Sequence, residues 1–154
     1  MRVLFVCLGN ICRSPSAEGV FRQQLQQAGL ADLVDVDSAG TGPWHVGKPA
    51  DSRASAAALQ RGYDLSALRG RQVSKADFER FDLILAMDHS NFADLKALQP
   101  ANSRAELDLY LRRYGLDEDE VPDPYYGGAD GFEHVLDLLE QAGAQLINEV
   151  RGRL

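Results

Sequence analysis

Cysteine and histidine are scarce in this sequence, which limits the disulfide and metal chemistry open to it. Among its 154 residues there are two cysteines and three histidines. Neither Cys-x2-Cys nor His-x3-His spacing occurs, so a zinc centre is not expected, and we predict no metal and no cofactor. Cys7 and Cys12 could in principle pair, but a reducing compartment disfavours a resting disulfide.

A long apolar run is also missing. The apolar stretch near the start extends only from Val3 to Leu8, far short of a membrane-spanning helix or of a signal peptide with its small-residue cleavage site. We therefore expect a cytoplasmic protein without membrane insertion. No repeat, low-complexity tract or linker interrupts the sequence, and 45% hydrophobic residues suffice for one core, so residues 1–154 are predicted to form a single domain.

Positive charge is the third scarcity. Lysine and arginine number 16 against 23 aspartates and glutamates, giving a net charge of −7, which argues against nucleic acid and anionic membranes as partners. The charges are unevenly distributed. Residues 1–30 contain Arg2, Arg13 and Arg22 and a single acidic residue, Glu18, whereas residues 117–154 are strongly acidic. Any affinity for phosphate must therefore be local.

Four short apolar segments alternate with helical patterns, which predicts an α/β fold with a parallel sheet. The strand-like segments are residues 3–6, 33–37, 83–87 and 105–109, and the helical patterns are residues 15–28, 52–61, 90–99 and 131–151. The first and third strands are continuously apolar and belong in the centre. Right-handed crossovers then give the order 2-1-3-4 with helices on both faces. Ligands bind where such an order reverses, at the ends of strands 1 and 3.

The loop Cys7-Leu8-Gly9-Asn10-Ile11-Cys12-Arg13-Ser14 lies at this point. It follows an apolar strand and precedes Ser14-Pro15, which predicts a helix with Ser14 as its N-cap. Converging backbone N–H groups and a helix N-terminus form a pocket for a tetrahedral oxyanion, and the same field favours a thiolate nucleophile at Cys7. The alternative is that Cys7 is only a small apolar residue at the end of a strand.

Two other segments are candidates for the site. In Asp123-Pro124-Tyr125-Tyr126 the proline favours an extended Asp123, and the tyrosines could wall a pocket or simply pack on the surface. Trp44, in a loop rich in glycine and proline, could contact a flat ligand or pack within its loop. We interpret His45 and His134 as solvated. Gly40-Thr41-Gly42 lacks the third glycine of a dinucleotide fingerprint, and no Walker phosphate loop occurs.

These residues are familiar as a set. The chain resembles the low-molecular-weight protein tyrosine phosphatases in the N-terminal loop, in Trp44-His45-Val46-Gly47, in Met87-Asp88-His89-Ser90-Asn91 and in Asp123-Pro124-Tyr125-Tyr126, in the family's order and spacing. The resemblance implies Cys7 as nucleophile, Arg13 as a bidentate phosphate clamp and Asp123 as general acid and base. It implies substrates that are tyrosine-phosphorylated proteins, with a cognate tyrosine kinase as a further candidate partner.

The resemblance also implies a set of binding residues. Substrate contacts would come from Leu8, Gly9, Asn10, Ile11, Cys12, Ser14, Trp44 and Tyr125, with Ser38 supporting Asn10 in a left-handed turn. Ile11 stands where arginine-phosphate-specific relatives carry threonine, which favours phosphotyrosine. Cys12 resembles the family's second loop cysteine, which implies a reversible disulfide with Cys7 under oxidation.

One departure from the family pattern bears on the loop. In many relatives a histidine that supports the asparagine equivalent to Asn10 precedes this Arg-Gln dipeptide. This chain has Ala67-Leu68-Arg69-Gly70 before Arg71-Gln72, without a histidine. The departure bears on how rigid the loop is. Two rival functions remain open. An arsenate reductase would need further cysteines after Cys12, and there are none. A noncatalytic phosphate-binding module would not need both Cys7 and Asp123.

Overall fold

A parallel four-stranded sheet with helices on both faces organises the protein. The computed structural model describes residues 1–125 and 128–154. Its elements are β1 (Arg2–Cys7), α1 (Arg13–Gln27), β2 (Asp35–Gly40), α2 (Ser52–Gln60), α3 (Asp77–Arg80), β3 (Leu83–Ala86), α4 (His89–Leu98), β4 (Glu106–Leu109), α5 (Tyr110–Arg113) and α6 (Ala129–Arg153). Tyr126, part of one predicted motif, lies outside the described residues.

The strand order is β2-β1-β3-β4, with every neighbouring pair parallel, so the predicted sheet is confirmed. The central strands are continuously apolar because both of their faces are covered. Successive side chains of β1 point to opposite faces. Phe5 packs with α1, α5 and α6 on one side of the sheet, and Leu4 packs with α3 and α4 on the other.

The start of α1 differs from the prediction. The helix begins at Arg13, the N-cap position is Cys12 without a side-chain cap, and Ser14 is the second helical residue rather than the N-cap. The physical reason is that the Ser14 hydroxyl is engaged by the loop, by the Cys7 sulfur and the Asn10 amide, instead of by the helix N–H groups. Pro15 still falls in the first turn, where its missing N–H costs no helical hydrogen bond.

The other long helices agree with the sequence patterns to within one or two residues at most boundaries. The carboxylate of Asp51 caps α2 by accepting from the N–H groups of Arg53 and Ala54, and Asp88 caps α4. Two four-residue helices, α3 and α5, were not predicted because elements of that length carry no readable periodicity. They supply two fully buried rings, those of Phe78 and Tyr110.

Candidate active site

A cavity of about 320 Å³ opens at the carboxyl end of β1. Its lining residues come from the loop after β1, from the segment after β2 and from the segment before α6. They are Cys7, Leu8, Gly9, Ile11, Cys12, Arg13, Trp44, His45, Asp123 and Tyr125. The three segments that the sequence singled out are therefore brought together at one site, at the switch point of the sheet.

Cys7 lies at the floor of this cavity with only 2% of its surface exposed. Its sulfur accepts a hydrogen bond from the Asn10 N–H at 3.3 Å and lies 3.0 Å from the Ser14 hydroxyl. The sulfur is thus surrounded by hydrogen-bond donors of the same loop, and α1 begins just beyond it with the positive end of its dipole.

Asn10 holds the loop in shape. Its φ of 57° is the left-handed conformation that was predicted. Among residues 1–125 and 128–154, no other residue except glycine has a positive φ. The side-chain amide donates to the hydroxyls of Ser14 at 2.8 Å and Ser38 at 3.0 Å, and its carbonyl oxygen accepts from the Arg71 N–H at 3.0 Å. Asn10 and Ser14 are buried behind the sulfur, so they support the cavity from behind.

A buried carboxylate lies behind Ser38. The Ser38 hydroxyl donates to Glu18 at 2.8 Å, and the other oxygen of that carboxylate accepts two hydrogen bonds from Arg22 at 2.8 and 2.9 Å. Burial raises the pKa of Glu18, and the hydrogen bonds from Ser38 and Arg22 partly offset that rise. The sequence prediction missed Glu18 because, one turn into α1, nothing in the pattern distinguishes it from an ordinary surface residue.

Residues 67–70, where the chain has no histidine, are followed by Arg71, whose side chain is held by two carboxylates. Leu68, in that segment, packs against the core. The guanidinium of Arg71 contacts both oxygens of buried Asp77 at 3.0 and 3.1 Å and Asp37 at 3.0 Å, which fixes the backbone N–H that holds Asn10. The loop is therefore anchored from this side through a backbone donor rather than a side chain.

Arg13 lies buried beside the sulfur. Its Nη1 donates to the Asp88 carboxylate at 2.6 Å and to the Val121 carbonyl at 3.1 Å, while Nη2 lies 3.7 Å from Asp123. Burial lowers the pKa of Arg13, but the neighbouring Cys7 and Asp88 outweigh it and raise the pKa above its ordinary value. Asp88 therefore orients the guanidinium. From the sequence, Asp88 was singled out only as part of the segment Met87-Asp88-His89-Ser90-Asn91, without this partner.

The mouth of the cavity is formed by aromatic side chains and one carboxylate. Trp44 and Tyr125 are both exposed, by 64% and 38%. The Trp44 ring also packs against Gly42 of its own loop, so both alternatives for this residue, ligand contact and loop packing, stay open. Asp123 is partly exposed and accepts the Tyr125 N–H at 3.0 Å. His45 is half-buried here and lines the cavity, so its interpretation as a solvated residue was wrong.

Close packing at this rim depends on glycines. A Cβ added at Gly40 would lie 2.8 Å from the Leu8 carbonyl oxygen and 3.2 Å from the Asn10 nitrogen. The glycine that begins the Gly-Thr-Gly sequence therefore allows the loop after β1 to pass close to the end of β2. His134, the other histidine interpreted as solvated, is half-exposed and lies 2.9 Å from a carboxylate oxygen of Glu118.

Cys12 sits at the far end of the loop in a different environment. It is buried with Ala54 and Phe132 in a small apolar cluster. Burial, followed by the nearby carboxylate of Asp51, raises the pKa of Cys12 to about 12. Both cysteines are free thiols in this structure, and their disulfide stays a prediction.

Within residues 1–125 and 128–154, His, Cys, Asp and Glu side chains form no group of three or more that could hold a metal ion. The same part of the chain has no helix with the length and apolar character needed to cross a membrane.

Sequence and fold match one protein family along nearly the whole chain. A profile described as low molecular weight phosphotyrosine protein phosphatase matches residues 2–153. A low molecular weight protein-tyrosine-phosphatase of Streptomyces coelicolor is 48% identical over 155 residues, covering 97% of this chain and 93% of the relative.

Solved structures agree with this match. A protein tyrosine phosphatase from Entamoeba histolytica superposes with a TM-score of 0.94 at 42% identity, covering 100% of this chain and 99% of that one. The Drosophila arginine phosphatase superposes with a TM-score of 0.90 at 32% identity, covering 97% and 98%. The chain therefore belongs to the low molecular weight phosphotyrosine protein phosphatase family and is a hydrolase.

Proposed function

We propose that the protein hydrolyses phosphotyrosine in proteins, and small aryl phosphates, through a phosphocysteine formed on Cys7. The observation that carries the proposal is the position of the Cys7 sulfur, at the floor of a cavity whose wall holds Arg13 and whose mouth holds Asp123. A nucleophile, an anion clamp and a proton donor are the three groups that phosphate monoester hydrolysis through a covalent intermediate requires.

Arg13 and the loop bind the phosphoryl group. Nη1 of the guanidinium is engaged by Asp88 and Val121, which leaves the edge formed by Nε and Nη2 for two phosphate oxygens. The N–H groups of the loop and the first turn of α1 bind the remaining oxygens. Lysine could not replace Arg13 in this role because an ammonium group lacks the planar pair of donors.

In the first step the Cys7 thiolate attacks phosphorus, and the bond from phosphorus to the phenolic oxygen breaks. A phenolate has a pKa of about 10, so its departure is slow unless a proton is supplied. The Asp123 carboxyl, at the mouth of the cavity, gives that proton to the leaving oxygen. In the second step the Asp123 carboxylate takes a proton from water, the water oxygen attacks phosphorus, and the sulfur leaves with inorganic phosphate as the product.

The cavity wall favours an aryl substrate. Trp44 and Tyr125 are partly exposed aromatic side chains in its lining, and Ile11 contributes an apolar side chain. A guanidinium leaving group, as in phosphoarginine, would lose hydration where it meets Ile11, because that side chain offers no hydrogen-bond acceptor in return. A serine side chain is too short to reach from the loop floor to the aromatic rings. Tyrosine kinases produce such substrates, so a kinase acting on the same proteins is the expected functional counterpart.

The role of Asp123 gives a direct test. In Asp123→Asn we expect kcat/KM, which reports the first step and not the hydrolysis of the phosphocysteine that both substrates share, to fall about 100-fold for phenyl phosphate, whose leaving group is poor, and less than tenfold for para-nitrophenyl phosphate. The matched control is Asp117→Asn, which neutralises an exposed carboxylate of the same acidic segment. Equal slowing of both substrates would remove Asp123 as the general acid.

A further inference from the structure

A second cavity, of about 370 Å³, adjoins the first. It lies between α2 and the start of α6 and is as roomy as the catalytic cavity. We refer to it as the flanking groove, and its lining residues are Arg53, Ala56, Ala57, Gln60, Gly128, Phe132 and Glu133. A side chain of a few carbons fits a space of this size.

The floor of the flanking groove is continuous with the catalytic loop. Phe132 is nearly fully buried and shares an apolar cluster with Cys12, against which Ile11 and Ala57 also pack. Ile11 and Cys12 line the catalytic cavity, and Phe132 and Ala57 line the groove. One apolar layer therefore lies beneath both cavities.

Arg53 forms the divide between them. Its guanidinium lies 5.2 Å from the centre of the Tyr125 ring, which walls the catalytic cavity, and 5.2 Å from the centre of the Phe132 ring in the groove. The two rings are therefore separated by no more than twice that distance. An extended peptide advances about 3.3 Å per residue, so two or three residues span the divide.

The charged groups at the groove are already matched within the protein. The guanidinium of Arg53 lies 3.3 Å from the Asp51 carboxylate, and Glu133 accepts from Arg61 at 3.0 Å. A charged ligand would have to compete with these ion pairs, whereas an apolar side chain would displace water from the alanines of α2, Ala56 and Ala57, and leave the ion pairs in place.

We infer that the flanking groove binds an apolar side chain of the phosphoprotein substrate, two or three residues from the phosphotyrosine. The inference rests on the proposed function, because the phosphotyrosine anchors the peptide in the catalytic cavity. The groove lies on one side of the catalytic cavity. Only the residues before the phosphotyrosine, or only those after it, can therefore pass over Arg53 and reach the groove. The groove thus selects among phosphotyrosine sequences, a choice that the catalytic cavity alone cannot make.

The test uses synthetic peptides with a central phosphotyrosine in a background of serine and glycine, and a single leucine at −3, −2, +2 or +3. We expect kcat/KM to rise about tenfold for leucine on one side of the phosphotyrosine and to stay at the parent value on the other. Equal values of kcat/KM for the four leucine peptides and the parent peptide without leucine would overturn the inference.

A substitution in the groove locates the effect. Ala56→Glu places a charge on an exposed groove position of α2 and is expected to abolish the leucine preference while leaving kcat/KM for para-nitrophenyl phosphate unchanged. Leu59→Glu adds the same charge to an exposed position of α2 outside the groove and should preserve the preference. A preference that survives Ala56→Glu would overturn the inference.

Other occupants give different results. If the groove pairs two copies of the chain, sedimentation will show a concentration-dependent mass that Ala56→Glu abolishes, with no leucine preference, and the inference fails. If the unaltered protein hydrolyses neither the peptides nor para-nitrophenyl phosphate, the proposed function itself is rejected. The two failures are therefore distinguishable.

Discussion

Cys7 and Cys12 occupy opposite ends of one loop, and both are almost completely buried. Cys7 faces a polar network, with the Asn10 N–H and the Ser14 hydroxyl within hydrogen-bond distance of its sulfur. Cys12 faces Ala54 and Phe132, and the nearby Asp51 carboxylate adds a negative charge. The two sulfurs are similarly buried but differ in the groups that replace water around them, and such groups set whether a buried thiol ionises easily.

Substituting each cysteine in turn tests this contrast most strongly. We expect Cys7→Ser to lower kcat for para-nitrophenyl phosphate by at least about 10⁴-fold, because the attacking sulfur is lost. Cys12→Ala should stay within about threefold of the unaltered protein. Rapid acid quenching during turnover should trap phosphate on sulfur in Cys12→Ala and none in Cys7→Ser. A fully active Cys7→Ser, or trapped phosphate on Cys12, would contradict the assignment.

Alkaline pH sharpens the same contrast through stability. In the folded chain Cys12 keeps its proton up to a pKa of about 12, whereas in the unfolded chain it loses it near 9.0. Between these values the folded state binds more protons, so the free energy of unfolding falls as pH rises. From pH 9 to 11 this loss is roughly 2 kcal/mol, at about 1.4 kcal/mol per unit.

Urea unfolding of the unaltered protein and Cys12→Ala at pH 9, 10 and 11 measures this loss. Other groups that titrate in this range are common to both chains and cancel in the comparison. We expect the unaltered protein to lose roughly 2 kcal/mol more than Cys12→Ala over the interval. Parallel losses would mean that Cys12 ionises normally in the folded state.

The sheet order and the segments that line the first cavity could be predicted from the sequence because their signals are local. Continuous apolar runs mark central strands, and a cysteine, an arginine and a serine-proline pair within one loop mark an oxyanion pocket. Asp88, Glu18 and Arg71 were not assigned their roles, since each acts through a partner 20 to 75 positions away in sequence. No periodicity carries such pairings.

His45 and Ser14 illustrate a different limit. Each was assigned from its nearest neighbours in sequence, His45 as a solvated loop residue and Ser14 as a helix cap. In the folded chain His45 packs over Gly9, where an added Cβ would lie 3.0 Å from the imidazole, and Ser14 faces Cys7 and Asn10. Tertiary contacts overrode the local preference in both cases.

A chain of hydrogen bonds links Glu18 to Cys7 through Ser38, Asn10 and Ser14, and its donors and acceptors can be assigned starting from Glu18. A carboxylate can only accept, so the Ser38 hydroxyl donates to it and accepts from the Asn10 amide. The Asn10 orientation is fixed because its oxygen accepts the Arg71 N–H. The second amide hydrogen of Asn10 goes to Ser14, whose own hydrogen has two acceptors, the Cys7 sulfur at 3.0 Å and the Ala39 carbonyl oxygen at 3.4 Å, and the shorter contact favours the sulfur. We therefore predict that Glu18 helps to position Cys7, because it takes the Ser38 hydrogen and leaves that hydroxyl free to accept from Asn10.

Glu18→Gln tests this relay with the smallest expected effect. A glutamine amide can donate to Ser38, which would turn the hydrogen of that hydroxyl toward the Asn10 amide and remove the hydrogen bond that Ser38 accepts from Asn10. We expect kcat to fall about tenfold with little change in KM, since the cavity itself is unaltered, and Cys7 alkylation by iodoacetamide at neutral pH to slow by a similar factor. Glu79→Gln, at an exposed carboxylate of α3, is the matched control. A fall in thermal stability without the parallel loss of kcat and alkylation rate would show that Glu18 serves only the fold.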